Sequence, residues 1–243
     1  MGKSKLPRKL HLGCGLITPS GWVNVDASWN AWLAKYPRVK KFLARLGILP
    51  KHLAEIPWDS SIVVHDVRKG LPFPDNYFEA IYASHLLEHL YLLEAKYLLR
   101  ECFRALQPGG VLRMVVPDLR AIVLEYLGEQ PFGVAHDLEN VRPADRMMLR
   151  LGMRSPEPPR GHFVYRIYTA LKDLHSHKWM YDAPSLIGHF EEAGFIEVRE
   201  CGFLESRIKG IEEVEQPERV LNGAGICVEG IKPLGRVSQT GTR

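Results

Sequence analysis

Five short apolar runs, each ending at a glycine or a polar residue, constrain this chain more than any other feature. The runs are Lys9–Leu12, Trp22–Val25, Ser61–Val64, Glu79–Ala83 and Val111–Val116. Each has about the length of a buried strand, and stretches with helical spacing lie between several of them. An alternation of strand and helix is typical of a parallel sheet with helices on both faces. The sequence therefore predicts an α/β fold with a doubly wound, mostly parallel sheet.

The helices are predicted from the spacing of apolar residues and from the glycines and prolines that end them. Predicted helices cover Trp29–Leu46, Leu86–Leu106, Leu119–Leu127 and Pro184–Ala193. In the second of these, the residues that recur on one face are Leu86, Leu90, Leu93 and Tyr97. Two late strands are predicted at Ile196–Arg199 and Ile226–Ile231.

A proline-rich segment, Gln130–Lys178, interrupts this alternation. It holds one predicted helix, Pro143–Leu151, and a segment this long inside a compact domain is typical of a lid or a binding loop. We expect a single domain over residues 1–233, with a helical lid insertion at 130–178 over the open edge of the sheet. Residues 234–243 are expected to form a flexible tail.

The lid helix carries Arg142, Arg146 and Arg150 at intervals of four, which places them in one stripe. We interpret the stripe as a solvated face. A surface for an anionic substrate is the alternative.

The composition is that of an ordinary globular protein, with 46% hydrophobic and 25% charged residues among 243. A net charge of +4 is too small to indicate a dedicated nucleic-acid binder. No stretch approaches the ~20 apolar residues of a membrane helix, and Met1–Leu10 lacks the apolar core of a secretory signal. Cys14, Cys102, Cys201 and Cys227 are widely spaced and indicate reduced thiols in a cytoplasmic protein, expected as a monomer or homodimer.

The residues that end the five runs form one group, because ligands of an open parallel sheet bind beyond the carboxyl ends of its strands. Gly13 and Gly15 allow the backbone to approach a ligand closely. A carboxylate at Asp26 suits ribose hydroxyls, since it accepts two hydrogen bonds at once, and Asp66 can accept one from an exocyclic amine such as that of adenine. The remaining members are Ser84, His85 and Asp118. Together they predict a cofactor that carries a nucleoside.

Eight segments carry a family resemblance. They are KLHLGCG at 9–15, GWVNVD at 21–26, DVRKGLPFPDNYF at 66–78, IYASHLLEH at 81–89, LQPGGVLR at 106–113, VPD at 116–118, HKWMYD at 177–182 and EAGF at 192–195. The sequence resembles class I S-adenosylmethionine-dependent methyltransferases, in particular the methyltransferase type 11-like bacterial branch associated with polysaccharide or natural-product genes. The resemblance implies a Rossmann-like methyltransferase fold, and S-adenosyl-L-methionine as the cofactor.

The resemblance also implies roles for the residues at the strand ends. Gly13–Cys14–Gly15 would cradle the methionine end of the cofactor, and Asp26 would hold the ribose hydroxyls. Asp66 would accept a hydrogen bond from the adenine amine, while Val67 would offer its backbone N–H to the ring. Ser84 and His85 would lie beside the methionine moiety.

Two positions depart from the family pattern. His11 stands where the family has an acid, two residues before the first glycine, and Ile17 replaces another glycine. The change at His11 weakens the expected contact with the cofactor's ammonium group, although the residue stays among the expected cofactor-binding positions. The interval from Gly15 to Asp26 is too short for a full helix, so we expect a loop or a single turn there.

The reacting end is predicted from the chemistry of methyl transfer. The cofactor is already activated, so the protein mainly aligns the acceptor and excludes water. A hydroxyl acceptor also needs a base for its proton, and histidine is the usual one. We expect His85 and His177 to be catalytic, with Asp118 orienting a histidine or contacting the substrate. His89 is expected behind His85. Two histidines and carboxylates could also bind a divalent ion, but no metal ion is predicted.

The leading interpretation is O-methylation of a glycan, a sugar or another small-molecule acceptor. One alternative is N-methylation of a natural product or a protein side chain, since amines need less help from a base. Another is a non-catalytic module that binds the cofactor, which the departures at His11 and Ile17 leave open. A dehydrogenase is disfavoured because Gly13–Thr18 lacks the Gly-x-Gly-x-x-Gly spacing.

Overall fold

One sheet of seven strands organises the chain, which the computed structural model describes at residues 8–46, 49, 54–130, 138, 140–153, 176–221 and 224–234. The strands are β1 (Lys9–Leu12), β2 (Trp22–Asp26), β3 (Val63–Val64), β4 (Phe78–Ser84), β5 (Leu106–Val116), β6 (Ile196–Cys201) and β7 (Ile226–Ile231). Their order in the sheet is β3-β2-β1-β4-β5-β7-β6. The first five strands pair in parallel, and β7 lies antiparallel to both β5 and β6. The predicted mostly parallel, doubly wound sheet is confirmed.

The described helices connect and cover these strands. They are α1 (Trp29–Ala34), α2 (Pro37–Arg45), α3 (Leu92–Ala105), α4 (Leu119–Leu127), α5 (Pro143–Leu151), α6 (Ala183–Glu192) and α7 (Pro217–Val220). Short 3₁₀ turns lie at Val67–Lys69, Leu87–His89 and Ile211–Glu213. Within the described residues, no helix is long and apolar enough to cross a membrane.

Several predicted boundaries are confirmed. β1, β7, α4 and α5 have the predicted limits, and the short interval between Gly15 and Asp26 contains no helix. The run predicted at Ser61–Val64 contributes only the two residues Val63–Val64 to the sheet.

The single helix predicted over Trp29–Leu46 is wrong, because the chain forms two helices there. Ser28 caps α1 by accepting a hydrogen bond from the Ala31 N–H at 3.2 Å. Pro37 then begins α2, and the backbone of Tyr36 has the non-helical angles φ −127° and ψ 67°. A proline offers no N–H and its ring disfavours helical backbone at the preceding residue, so the helix must break here.

The helix predicted over Leu86–Leu106 is also wrong in its first part. Leu90 has extended backbone, with ψ 150°, and α3 starts only at Leu92, where the Tyr91 N–H donates to Glu94 at 3.0 Å. The predicted apolar face of this helix is wrong as well, since its member Leu93 is 77% exposed. The buried face of α3 consists of Ala95, Leu98, Leu99, Cys102 and Ala105.

The core is divided between the two faces of the sheet. Because side chains alternate along a strand, Leu10 and Leu12 of β1 join the larger apolar cluster, while His11 between them points to the other face. There it contacts Trp22 and Tyr82, which belong to the second cluster. The larger cluster includes the buried faces of α3 and α6, so these two helices cover the same side.

The predicted lid is described only in part, since residues 131–137, 139 and 154–175 lie outside the described ranges. Its helix α5 is tied to α4 through Glu125. Arg150 donates to that carboxylate at 3.2 and 3.3 Å, and Arg146 lies 3.7 Å from it. The interpretation of this arginine stripe as a solvated face is therefore wrong for Arg146 and Arg150. Both side chains neutralise a carboxylate on the neighbouring helix.

A buried ion cluster joins the centre of the sheet to the segment between β6 and β7. Arg113 of β5 is fully buried and contacts Glu215 through two hydrogen bonds of 2.8 and 2.9 Å. It lies 3.4 Å from Glu229, which is also fully buried, and donates to the carbonyls of Gly202 and Glu205. Every nitrogen of the guanidinium therefore has an acceptor, which is the condition under which a buried charge is tolerated.

We predict that Arg113→Met lowers the free energy of unfolding by about 3–5 kcal/mol, because it leaves two buried carboxylates without their cation. Urea denaturation measures the change. Lys96→Met is the matched control, since Lys96 pairs with Glu192 at the surface and its loss should cost far less. Equal losses in both variants would contradict the prediction.

Candidate functional site

The parallel register brings the predicted site residues to one edge of the sheet. Leu12 lies opposite Val25 on one side and Ala83 on the other. The next residues along the three strands are Gly13, Asp26 and Ser84, so they emerge side by side. The grouping of strand ends expected from the sequence is present in the fold.

The turn after β1 is shaped by two glycines with left-handed backbone. Gly13 has φ +65° and Gly15 has φ +55°, angles that other residues adopt only with strain. A Cβ on Gly13 would lie 3.4 Å from Leu86, whereas one on Gly15 would meet no atom within 4 Å. Cys14 between them is buried, and burial raises the pKa of its thiol to about 12, so it remains protonated. The turn thus presents backbone rather than reactive side chains.

Asp26 fastens this turn to β2. Its carboxylate accepts hydrogen bonds from the Gly15 N–H at 3.0 Å and the Ser28 N–H at 2.7 Å. Each carboxylate oxygen takes one of these bonds and keeps a further lone pair. Asp26 therefore retains the capacity to accept from a pair of ribose hydroxyls while it holds the turn in place.

Asp66 and Val67 follow β3. Asp66 caps the 3₁₀ turn through the Arg68 N–H and also binds the Arg68 guanidinium at 2.8 and 2.7 Å. The Val67 side chain is buried in the core. The structure thus places both residues at the expected edge, with Arg68 as a further charged group that the sequence reasoning did not single out.

His11 lies inside the protein rather than at its surface. It is 2% exposed, and burial lowers its pKa to about 4, so the ring is neutral. Its Nδ1 has no hydrogen-bond partner among the described residues. A neutral ring does not attract an ammonium group as a carboxylate does, which agrees with the weakened contact expected at this position.

Ser84 and His85 follow β4 at the same edge. Ser84 is buried and its Oγ has no hydrogen-bond partner in the described part of the chain, which leaves that atom available to a ligand. His85 has the strained angle φ +51°, and its N–H donates to the Val115 carbonyl at 2.9 Å. Non-glycine residues hold such backbone only where the surroundings fix it, and they cluster at functional sites.

The His85 ring has an acceptor at each nitrogen. Nδ1 lies 3.1 Å from Glu88 Oε1, and Nε2 lies 3.2 Å from the Arg219 carbonyl oxygen. A neutral imidazole has one N–H, so only the doubly protonated ring can donate to the Glu88 carboxylate and the Arg219 carbonyl at once. Because Nε2 faces the Arg219 carbonyl oxygen, it is not free to take a proton from a substrate. Its geometry suits it to orient Glu88.

Glu88 is the site residue to which the sequence reasoning gave no role. Its side chain is fully buried, and its backbone carbonyl accepts from the N–H groups of Lys178 at 2.7 Å and Trp179 at 3.2 Å. These bonds bring the segment around His177 to the end of β4. The adjoining pair Glu88–His89 and the HKWMYD motif were visible in the sequence, but nothing there indicated that they meet.

His177 is held by α5. Its Nδ1 donates to the Leu151 carbonyl at 2.7 Å and its backbone N–H to the Gly152 carbonyl at 2.9 Å. Its Nε2 lies 4.0 Å from Glu88 Oε1, too far for a hydrogen bond. The lone pair of Nε2 is thus available, and of the two predicted catalytic histidines His177 is the one that can accept a proton.

His89 completes the histidine cluster. Its ring lies edge-on to that of His177, with 4.9 Å between the centroids, and its Nδ1 contacts the Ser176 carbonyl at 3.2 Å. Burial lowers the pKa of His89, which favours the neutral ring. The expectation that it lies behind His85 is too simple, since it faces His177 instead.

Asp118 begins α4 and accepts a hydrogen bond from the Arg120 N–H at 2.8 Å. Within the described residues its carboxylate makes no hydrogen bond to a histidine. The observed role of Asp118 is that of a helix cap, and an orienting role toward a histidine finds no support in this geometry.

Arg219 is a further residue that sequence reasoning missed. It comes from α7, far along the chain, yet its guanidinium donates to the Ser84 carbonyl at 3.3 Å. Its charge also contributes to the lowered pKa of His11, after burial. A cation therefore lies close to the strand ends, contributed by a segment without a recognisable motif.

These residues fit a nucleoside cofactor with a carboxylate at one end. The glycine turn is open at Gly15, Asp26 keeps acceptor capacity for hydroxyls, and Ser84 has an unpartnered buried oxygen among the described residues. Residues 37–114 match the family model described as "Methyltransferase domain". The match spans α2 to β5 and thus contains Asp66, Ser84, His85 and the Glu88–His89 pair.

Solved structures of similar shape include three methyltransferases. One is a "SAM-dependent methyltransferase, possible histamine N-methyltransferase" from Thermotoga maritima, with 16% identity, 93% of this chain and 81% of that chain covered, and a TM-score of 0.45. A SAM-dependent methyltransferase from Archaeoglobus fulgidus has 14% identity, coverages of 93% and 86%, and a TM-score of 0.45. Phosphoethanolamine N-methyltransferase 2 from Haemonchus contortus, in complex with S-adenosyl-L-methionine, has 15% identity, coverages of 96% and 50%, and a TM-score of 0.42.

No curated protein matches the sequence.

The sheet order and the glycine turn define a class of nucleotide-cofactor enzymes built on a doubly wound sheet. Together with the match of residues 37–114 to the methyltransferase domain model, they indicate an S-adenosylmethionine-dependent methyltransferase. Its cofactor is S-adenosyl-L-methionine, which supplies an activated methyl group.

We predict that Asp26→Ala weakens binding of S-adenosylhomocysteine by about 2–4 kcal/mol, or ~30- to ~1,000-fold, through loss of charged hydrogen bonds. Isothermal titration of the folded variant measures the affinity. Asp75→Ala is the matched control, because Asp75 precedes β4 and pairs with Arg104 at the opposite edge of the sheet. Unchanged affinity in Asp26→Ala would remove Asp26 from the cofactor site.

Proposed function

We propose that this enzyme methylates a hydroxyl oxygen of a glycan, a sugar or another small-molecule acceptor. The observation that carries the proposal is the buried carboxylate of Glu88, with His85 at 3.1 Å and His177 at 4.0 Å. A hydroxyl must lose its proton when its oxygen attacks the methyl carbon, so it needs a base. An amine attacks through its own lone pair and needs less help from a base. A cluster of one carboxylate and several histidines is an arrangement suited to handling that proton.

In this proposal the acceptor oxygen forms a bond to the methyl carbon while the bond from that carbon to sulfur breaks. The sulfur keeps the electron pair, and S-adenosylhomocysteine leaves as a neutral thioether. The acceptor's proton must go to a group with an available lone pair. His177 Nε2 offers one, and the carbonyl of Leu151 fixes the tautomer by holding the hydrogen at Nδ1.

The described part of the predicted lid supports a role in positioning this group. α5 contributes the Leu151 carbonyl, the adjoining Gly152 contributes the second carbonyl that holds His177, and the ion pairs of Arg146 and Arg150 with Glu125 hold α5 against α4. We therefore propose that the insertion at 130–178 serves the acceptor end of the site. The residues proposed for the cofactor end lie before it, with the exception of Arg219.

We propose further that the enzyme is a single domain that works in the cytoplasm, within the bacterial branch that the sequence resembles. The four cysteines are free and buried, which suits a reducing compartment.

The proposal is tested by incubating the full chain with isotope-labelled S-adenosylmethionine and a panel of glycans, sugars and small hydroxylated or amine-bearing compounds. Mass spectrometry then locates the labelled methyl group. We expect it on a hydroxyl oxygen. Label found only on nitrogen would replace the proposal with an N-methyltransferase, and cofactor binding without any transfer across the panel would favour a binding module.

We predict that Gly152→Ala slows methyl transfer by about 10–100-fold while leaving cofactor affinity unchanged. A Cβ on Gly152 would lie 2.7 Å from His177 Nδ1, so the ring must move, and a shift of about 1 Å is enough for such a loss. Single-turnover rates and cofactor titration separate the two effects.

The control for this variant is Gly128→Ala. Gly128 also has left-handed backbone, with φ +76°, but a Cβ there would meet no atom within 4 Å. Both variants therefore carry the backbone strain, and only Gly152→Ala displaces His177. Equal rates in the two variants would show that α5 does not position the histidine.

A further inference from the structure

The cluster at the end of β4 has the composition of a metal site. Glu88, His89 and His177 each offer one ligand atom, and these atoms lie within 4.8 Å of one another. Two imidazoles and one carboxylate form a common ligand set of divalent transition metals, above all zinc. Ligands of Zn²⁺ lie about 2.0–2.2 Å from the ion, so the distances between the three ligand atoms would have to shorten by about 1.5 Å or less.

The surroundings of the two histidines leave one nitrogen of each with a free lone pair. His177 Nδ1 is bound to the Leu151 carbonyl at 2.7 Å and His89 Nδ1 to the Ser176 carbonyl at 3.2 Å. Both contacts keep the hydrogen on Nδ1 and leave the lone pair on Nε2. Metal-binding histidines show this pattern almost without exception, because a carbonyl or carboxylate at the other nitrogen fixes ring and tautomer.

The carboxylate of Glu88 is supported in the same way. His85 Nδ1 lies 3.1 Å from Oε1 and orients the group, as hydrogen-bonding neighbours do for a metal-binding carboxylate. Among the described residues, Oε2 is buried and has no hydrogen-bond partner. The Tyr181 hydroxyl is also buried and without a hydrogen-bond partner among the described residues. The buried Oε2 is therefore available to a ligand or a water.

We propose that Glu88, His89 and His177 bind one divalent transition-metal ion, with Zn²⁺ as the best-suited ion. Three protein ligands leave at least one coordination position for another ligand, which is typical of catalytic rather than closed structural zinc sites. This proposal extends the proposed function, and any role of the metal ion in catalysis rests on that function. A cation bound to His177 Nε2 would occupy the lone pair that otherwise takes the proton; it would acidify the acceptor hydroxyl instead, and the proton would pass to solvent water. Metal binding itself does not depend on methyl transfer.

The test begins with the full chain, stripped by a chelator and titrated with ZnCl₂ in the calorimeter. We expect one equivalent to bind, and Co²⁺ to give visible absorption bands of low-symmetry coordination. His89→Gln and His177→Gln should each weaken Zn²⁺ binding by at least ~10–100-fold. Loss of a residue that only hydrogen-bonds a metal ligand already costs that much. Glu88→Gln should do the same, with circular dichroism to verify its fold.

His189→Gln is the matched control. His189 is a partly buried histidine of α6 near Glu192, outside the cluster, and its loss should leave Zn²⁺ affinity unchanged. Absence of stoichiometric binding by the wild-type chain, or equal affinity in wild type and both ligand variants, would overturn the metal site. If the wild-type chain transfers methyl groups to a hydroxyl at full rate after chelation, the proposed function stands and the metal is rejected as its activator.

Discussion

The parallel register of β1, β2 and β4 is the constraint on which the cofactor end of the site depends. Pairing of Leu12 with Val25 and Ala83 leaves the following residues at one level of the sheet, whatever their side chains are. A shift of one residue would move the carboxylate of Asp26 away from the Gly15 N–H, which it now meets at 3.0 Å. The site is thus fixed first by backbone hydrogen bonds between strands, and side-chain chemistry is added to that frame.

The acceptor end depends instead on one buried carboxylate. Glu88 receives His85 at its side chain and Lys178 and Trp179 at its backbone carbonyl, so two distant parts of the chain converge on it. The left-handed backbone of His85 costs about 1–3 kcal/mol, and hydrogen bonds at its N–H and both ring nitrogens offset that cost. Strain at this residue is therefore a consequence of directing the ring toward Glu88.

Sequence reasoning succeeded where structure is local. The limits of β1, α4 and α5 follow from a few neighbouring residues, and the strand ends follow from the rule for parallel sheets. It failed at Leu86–Tyr91, where helical spacing of leucines competed with the tight turn that carries His85 and Glu88. A site residue that needs left-handed backbone breaks the helix that its neighbours would otherwise form, so the error falls at the site itself.

Other residues were beyond prediction because they act through long-range contacts. The sequence gives Arg113 no visible partner, yet it pairs with Glu215 and Glu229, which lie more than 100 residues later in the chain. Arg150 was expected in solvent and is paired with Glu125 of another helix. In each case the arginine and its acidic partner lie far apart in the sequence. The charge of an arginine alone does not reveal which carboxylate it will pair with.

The charges around the glycine turn also combine a local residue with one from a distant segment. Position 11 holds a neutral, buried histidine where the resemblance implies an acid, while Arg219 reaches Ser84 from α7. An acid would attract the ammonium group of a methionine moiety, and an arginine would attract its carboxylate. Since a β1 side chain at this position points into the core beside Trp22 and Tyr82, a charge there would be costly to bury. Position 11 is therefore neutral, and the cation near the glycine turn is Arg219 of α7, which remains partly exposed.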